Sequence, residues 1–272
     1  MLYYYASTSH KLGLARVRRA VALLNCLREK GVDTQLLVND FRAGLVACEL
    51  GMKEYITIES ILDIDAIAEH GDTIIIDTHE DNSARIEKYC NIFNHVFRFR
   101  QNIDDIPYFS EYLLDGVVVD RFYEEAQKRE KVSRKLFFLN DADYEKNIMQ
   151  QSMLFEGNGL ELLLGNYFFV KYEDELSKIF TYLHESEEYM ELIATSQYIV
   201  TSSLQTAFEA KTSGACVYYL NLHNEDETQL HYLQFNGIEV VQTIDEIDFE
   251  KGCIDTSFNQ RNYIVEDILQ KL

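Results

Sequence analysis

Short runs of Ile, Val, Leu, Phe and Tyr alternate with amphipathic stretches from one end of this chain to the other. That alternation restricts the fold more than any other feature. Parallel strands need a crossover between them, so a βαβα pattern implies open parallel sheets flanked by helices, not a bundle or a sandwich. The first strand reads as Leu2–Ala6, followed by a polar loop and a helix over 16–30. In that helix Val17, Ala20, Val21, Leu24 and Leu27 recur at helical spacing, and Gly31 suits the stop. Further strands are expected at 35–38, 54–58, 73–77, 96–99 and 116–119, with helices at 42–50 and 83–91. Ser60 with Asp63 forms a capping-box-like pair before another helix.

The charged stretch 124–134 reads as a linker, after which the pattern repeats. Strands are expected at 136–139, 160–164, 167–170, 198–201, 217–220 and 238–241. Helices are expected at 144–153, from Ser186 to about 195, at 206–213, at 228–235 and at 263–272. A chain of 272 residues with 47% hydrophobic content can fill two cores. The expected fold class is therefore α/β, with two Rossmann-like domains around an inter-domain cleft. The domains are expected at 1–134 and 135–257, with a terminal segment 258–272 packing back on the first. The two halves share an architecture without a residue-level repeat.

The formal net charge is −21. Such a surface repels phosphate backbones and anionic bilayers, so nucleic acid and membrane insertion are excluded as expectations. A small anionic ligand needs a local cluster of cations or backbone N–H groups. Five scattered cysteines, without a C-x-x-C pair, read as reduced core thiols. The chain starts directly on a strand and carries no apolar run long enough for a bilayer, so a cytoplasmic location is expected.

Ligands of open parallel sheets bind beyond the carboxyl ends of the strands, which reduces the search to a few loops. The first, 7–16, holds Ser7, Thr8, Ser9, His10, Lys11 and Gly13 and opens a helix carrying Arg16, Arg18 and Arg19. Helix N-termini favour anions, and arginines in a first turn oppose the helix dipole unless they have a partner. The second loop, Asp77-Thr78-His79-Glu80-Asp81, puts a carboxylate and an imidazole at a strand end, a pattern suited to acid–base work. No further His or Cys follows at ligand spacing, so no metal is expected. The third loop, Asn140-Asp141-Ala142-Asp143, reads mainly as a helix cap. The fourth, from Thr201 to Glu209, runs from a strand through a hydroxyl-rich turn into a helix, where Ser202, Ser203, Thr206 and Glu209 offer short donors and an acceptor. Acidic residues dominate the fifth loop, 223–229, which reads as solvated. P-loop, dinucleotide, nucleophile-elbow and zincin motifs are all missing from the sequence.

The segment 198–210 (Tyr-Ile-Val-Thr-Ser-Ser-Leu-Gln-Thr-Ala-Phe-Glu-Ala), then 214–220 (Gly-Ala-Cys-Val-Tyr-Tyr-Leu), resembles the nucleotide-binding segment of the glycosyltransferase-B superfamily. The preceding 189–197 fits as well. More narrowly, the chain resembles the UDP-sugar hydrolase family of pseudaminic acid biosynthesis and its spore-coat-polysaccharide relatives. Gly13-Leu-Ala-Arg-Val-Arg-Arg19 lies where that family carries G-x-G-H-x-x-R, and Ile74-Ile-Ile-Asp77 fits its mid-domain strand. The resemblance spans about residues 1–245.

It implies a nucleotide on the second half, with Thr206 and Glu209 as the family's T-x-x-E and Arg19 as its first-motif arginine. It also implies attack of water on a UDP-linked sugar, without a cofactor. Two departures are specific: Arg16 replaces the motif histidine and Ala15 its second glycine. A guanidinium is a poor general base, so His10, His79 or Asp77 would have to handle protons. The expected function is a nucleotide-sugar-processing enzyme of surface-glycan or nonulosonic-acid biosynthesis, a hydrolase or sugar transferase acting at the sugar–phosphate bond. Gly13, Arg16, Arg19, Ser202, Ser203, Thr206 and Glu209 would contact substrate. Two alternatives stay open: a catalytically inactive relative that binds a sugar nucleotide or a protein partner, and an unrelated α/β protein sharing only the strand–turn–helix pattern.

Overall fold

The computed structural model describes residues 1–80, 83–168, 170–222, 227–250 and 263–272. The chain forms two compact units. The first comprises residues 1–9 and 16–120 together with the terminal helix; the second takes 10–15 and the rest of the chain after residue 120.

The strands of the first unit are β1 (Leu2–Ala6), β2 (Thr34–Val38), β3 (Tyr55–Thr57), β4 (Thr73–Asp77), β5 (His95–Phe99) and β6 (Tyr112–Leu114). Its helices are α1 (Ala15–Glu29), α2 (Phe41–Glu49), α3 (Ser83–Ile92) and the terminal α10 (Tyr263–Leu269). The sheet order is β3-β2-β1-β4-β5-β6. Every pairing is parallel, with Ala6 opposite Val38 on one side and Asp77 on the other. The strands are apolar on both faces because both faces are covered; β1, β2 and β4 are buried along their whole length. Tyr5, Leu37, Ile74, Ile76 and Tyr89 form the core of one face.

The strands of the second unit are β7 (Val132–Phe138), β8 (Glu161–Leu163), β9 (Tyr182–His184), β10 (Ser196–Thr201), β11 (Cys216–Leu220) and β12 (Glu239–Val241). Its helices are α4 (Arg121–Ala126), α5 (Asn147–Gln150), α6 (Glu173–Leu176), α7 (Tyr189–Thr195), α8 (Leu204–Thr212) and α9 (Glu227–Phe235). The order β12-β11-β10-β7-β8-β9 is the first sheet's order over again. If each unit's strands are numbered from one, both sheets run 3-2-1-4-5-6. In that topology the connections diverge between the first and fourth strands, leaving a crevice at their carboxyl ends. The two crevices therefore lie at the ends of β1 and β4, and of β7 and β10.

Four local expectations are corrected. The run 116–119 is not a strand. Val117, Val118 and Val119 are buried, but the sheet ends with β6, which the sequence reading did not include. The run 167–170 is not a strand either. The Tyr167 N–H donates to Asp141 O (2.8 Å) and the Phe168 N–H to Gly165 O (3.0 Å), which turns the chain, and Val170 opens a 3-10 turn. The third strand of the second unit is instead β9. The expected helix 144–153 is reduced to α5 and a 3-10 turn. The expected linker 124–134 contains the end of α4 and the start of β7.

The Ser60–Asp63 capping box is present, on a 3-10 helix (Ile61–Ala66). Cys26, Cys48 and Cys90 are free thiols, whereas Cys216 is disulfide-bonded, against the expectation of reduced thiols throughout. Disulfide formation depends on a Cα separation of about 5.5 Å, which spacing along the chain does not reveal. Among the described residues no helix is long and apolar enough to cross a membrane.

Candidate functional site

The crevice of the first unit is built on Asp77, the last residue of β4. Its carboxylate is fully buried and accepts from four side chains. Arg19 donates from Nε (3.0 Å) and Nη2 (2.7 Å to Oδ2, 2.8 Å to Oδ1). Tyr4 donates its hydroxyl to Oδ2 (2.8 Å), and Gln101 its amide to Oδ1 (3.4 Å). Arg16 Nε lies 3.3 Å from Oδ1. Tyr4 reaches this carboxylate because Ala6 pairs with Asp77, and Tyr4, two residues earlier, lies on the same face. A carboxylate this fully engaged by donors is a counter-ion. The geometry gives Asp77 the task of holding the two arginines, not the proton-carrying role expected from the sequence.

The two guanidiniums are used differently. Arg19 is held by Asp77 through Nε and Nη2, by Gly116 O through Nη1 (3.2 Å) and by stacking 4.1 Å over the Phe99 ring. Burial is the largest single influence and works against its charge, but Asp77 and Tyr4 together outweigh it, so its pKa is raised. Arg16 donates Nη1 to Ser7 O (3.4 Å) and Nη2 to Gln101 Oε1 (2.9 Å). One N–H on each of its terminal nitrogens has no partner among the described residues. Burial lowers its pKa, with Arg19 adding to the effect and Asp77 opposing it. Two guanidiniums share one carboxylate, so this corner keeps one positive charge in a chain of formal charge −21.

His79, two residues beyond Asp77, is exposed. Its pKa is lowered from 6.5, first by burial of part of the ring and then by Arg16, with Asp77 opposing, leaving it neutral near pH 7. Glu80 is committed elsewhere: it accepts from the Tyr5 hydroxyl (2.7 Å) and the Ile61 N–H (3.1 Å). Asp81 lies outside the described residues, as does the loop 223–226.

In the second unit a cavity of about 250 Å³ opens at its own crevice. Leu139 and Asn140 from the end of β7, the following turn through Asn147, Ser202 beyond β10, and Lys11 line it. Segment 10–15 is part of this unit and is fitted to the turn. Gly13 adopts φ +74°, and a Cβ there would lie 2.5 Å from Asn140 Oδ1, so glycine is needed for both conformation and approach. The His10 ring packs against Tyr144 at a tilt (5.1 Å between centroids), and Lys11 Nζ sits 4.7 Å over the same ring. Asp143 caps α5, accepting from the Asn147 (2.6 Å) and Ile148 (3.2 Å) N–H groups and from the Tyr172 hydroxyl (2.6 Å). The capping reading of this loop thus describes Asp143.

The expected strand–turn–helix corner at 201–209 is formed. Ser203 is the N-cap of α8, its Oγ accepting from the Thr206 N–H (3.3 Å) and hydroxyl (2.9 Å). Ser202 is half-buried, donates to Leu220 O (2.7 Å) and lines the cavity. Thr206 and Glu209 point inward instead. Thr206 is fully buried and Glu209 nearly so. The Tyr189 hydroxyl lies 2.8 Å from Thr206 Oγ1 and 2.5 Å from Glu209 Oε2, while Gln205 donates to Glu209 Oε1 (2.8 Å). These residues tie α8 to α7, a role the sequence pattern does not distinguish from ligand contact. Sequence reasoning also missed Gln101, Tyr144 and Asn147. Tyr4 was within its reach, through the strand register.

No protein-family model matches this chain, and no curated protein matches it in sequence. Among solved structures, Methanocaldococcus jannaschii UDP-GlcNAc 2-epimerase in complex with UDP-GlcNAc and UDP aligns with TM-score 0.61 at 13% identity, covering 99% of each chain. A second structure of that enzyme gives 0.55 at 12% identity, covering 99% of this chain and 98% of that one. The spinosyn forosaminyltransferase SpnP gives 0.50 at 10% identity, covering 89% and 85%. The fold is of the glycosyltransferase-B type. At such identities the likeness is one of architecture alone, and the site residues must be argued from their own chemistry.

Proposed function

We propose that this protein binds a nucleotide-activated sugar and acts at its sugar–phosphate bond, as a hydrolase or sugar transferase. The observation that carries this reading is Arg16: a mostly buried guanidinium, 13% exposed, held by Asp77, Gln101 and Ser7 O, with one acceptor on each terminal nitrogen among the described residues. A planar fork of that kind matches two oxygens of a phosphate. Support comes from the second unit, where the cavity at β7 and β10 offers Asn140, Asn147, Ser202 and Lys11 as polar contacts for a nucleotide. Further support comes from two fold neighbours, an epimerase bound to UDP-GlcNAc and UDP and a forosaminyltransferase. In this reading Arg16 holds phosphate, Asp77, itself fixed by Arg19, holds Arg16, and His79 or His10 takes up the proton. The finer resemblance to the pseudaminic-acid UDP-sugar hydrolases belongs to the same proposal.

A second reading has its own observation. Asp77, Thr206 and Glu209, three residues expected to act on substrate, are all saturated by internal partners. That favours a protein that binds a sugar nucleotide without turning it over. Calorimetric titration with UDP and UDP-N-acetylhexosamines tests the binding common to both. The expected Kd is below about 1 mM, equivalent to about −4 kcal/mol, and Arg16→Ala weakens it about tenfold. No heat of binding at millimolar ligand overturns both readings. UDP release that His79→Ala or His10→Ala abolishes selects the enzyme; binding without release selects the second.

A further inference from the structure

Gln101, two residues beyond β5, does not enter the sequence reading, and it touches both Arg16 and Asp77 in the arginine corner. Its Oε1 accepts from Arg16 Nη2 at 2.9 Å, and its Nε2 donates to Phe99 O (3.0 Å) and Asp77 Oδ1 (3.4 Å). Both groups facing Nε2 are acceptors and the group facing Oε1 is a donor, so only one orientation of the amide satisfies the surroundings. The backbone is fixed as well. The Gln101 N–H donates to Asp105 Oδ2 at 2.7 Å, and Asp105 is paired with the buried Arg98 at 3.3 Å. Arg98 in turn bonds Ile106 O (2.8 Å) and lies against Glu111, binding this loop to its own strand.

We infer that Gln101 is a positioning residue for Arg16: it turns the guanidinium so that one N–H of each terminal nitrogen stays open to an anionic oxygen pair, and its neutrality preserves the corner's excess positive charge. This inference rests on the reading of Arg16 as a phosphate contact. The residue type is what the geometry demands. A carboxylate here would set an oxygen against Asp77 and the Phe99 carbonyl, and would cancel the remaining positive charge. An apolar side chain would leave Arg16 free to swing fully onto Asp77, closing the fork.

The test is a double-mutant cycle read by calorimetry, with UDP and inorganic pyrophosphate as probes and thermal melts run on the same samples. Gln101→Ala is expected to weaken both probes about tenfold, the usual scale for losing a hydrogen bond to a charged group. Gln101→Glu is expected to weaken them further. Arg16→Ala/Gln101→Ala is expected to bind no more weakly than Arg16→Ala alone, because Gln101 acts only through Arg16. A merely structural role would lower the melting temperature and add its loss to that of Arg16→Ala. If Gln101→Ala melts early, Gln101→Asn, which keeps the amide on a shorter arm, carries the same comparison. Affinity unchanged in Gln101→Ala, or losses that add in the double variant, overturn the role of Gln101 alone. A wild-type chain that binds neither probe overturns it together with the proposed function.

Discussion

Arg16 and His79 lie within electrostatic reach of each other, and the cation biases the titration of the imidazole. Burial of part of the ring is the larger cause of the lowered His79 pKa, and Arg16 is the second. The sign follows directly. The folded chain disfavours the protonated ring relative to the unfolded chain, so His79 subtracts stability as pH falls through about 6.5 and is neutral above it. Followed by proton NMR of its ring, His79 should titrate below 6.5, and Arg16→Ala should move the midpoint up. A midpoint at or above 6.5, insensitive to Arg16, would show that the arginine corner does not govern this base.

Elements are placed in this fold by close backbone approach as well as by apolar stripes, and α2 shows it. Its buried positions Ala43, Gly44, Val46 and Ala47 lie on β2 and β3. A Cβ on Gly44 would lie 2.1–2.4 Å from three carbons of the Tyr55 ring. Gly44→Ala brings two effects of opposite sign. Helix propensity improves by about 1 kcal/mol, while the clash forces Tyr55 or the helix to move, at about 1–3 kcal/mol. Tyr55 is only half-buried, so some relief is available, and the net expectation is a destabilisation of about 1 kcal/mol by denaturant titration. A more stable Gly44→Ala variant would show that the helix can lift from β3 at little cost.

At the scale of the molecule the dominating quantity is the formal charge of −21. Like charges spread over one surface destabilise the compact state, and salt screens them over about 10 Å at 0.1 M. Raising NaCl from about 20 to about 200 mM should therefore raise the thermal midpoint, while weakening binding of UDP at Arg16. Opposite responses to one variable separate self-repulsion of the surface from attraction at a local cationic site. If salt strengthened UDP binding, the ligand would be held by apolar contact and not by the guanidinium fork.

The sequence by itself determined the α/β class, the division into two similar halves and most strands and helices, because each is written in local periodicity and in the glycines that stop helices. It also located the loops that matter, since in a parallel sheet those loops must follow strand ends. Only the tertiary structure decided which polar residues are open and which are consumed. Thr206 and Glu209 read as ligand contacts until Tyr189, on another helix, is seen to occupy them. Asp77 reads as a base until Arg16, Arg19, Tyr4 and Gln101 converge on it from three other segments. The same holds for β6 and β9, three-residue edge strands too short to show a period, and for the disulfide at Cys216. The physical reason is common to all of these: a side chain's hydrogen-bonding capacity is satisfied by whatever lies near it in space, and residues far apart in sequence supply those neighbours.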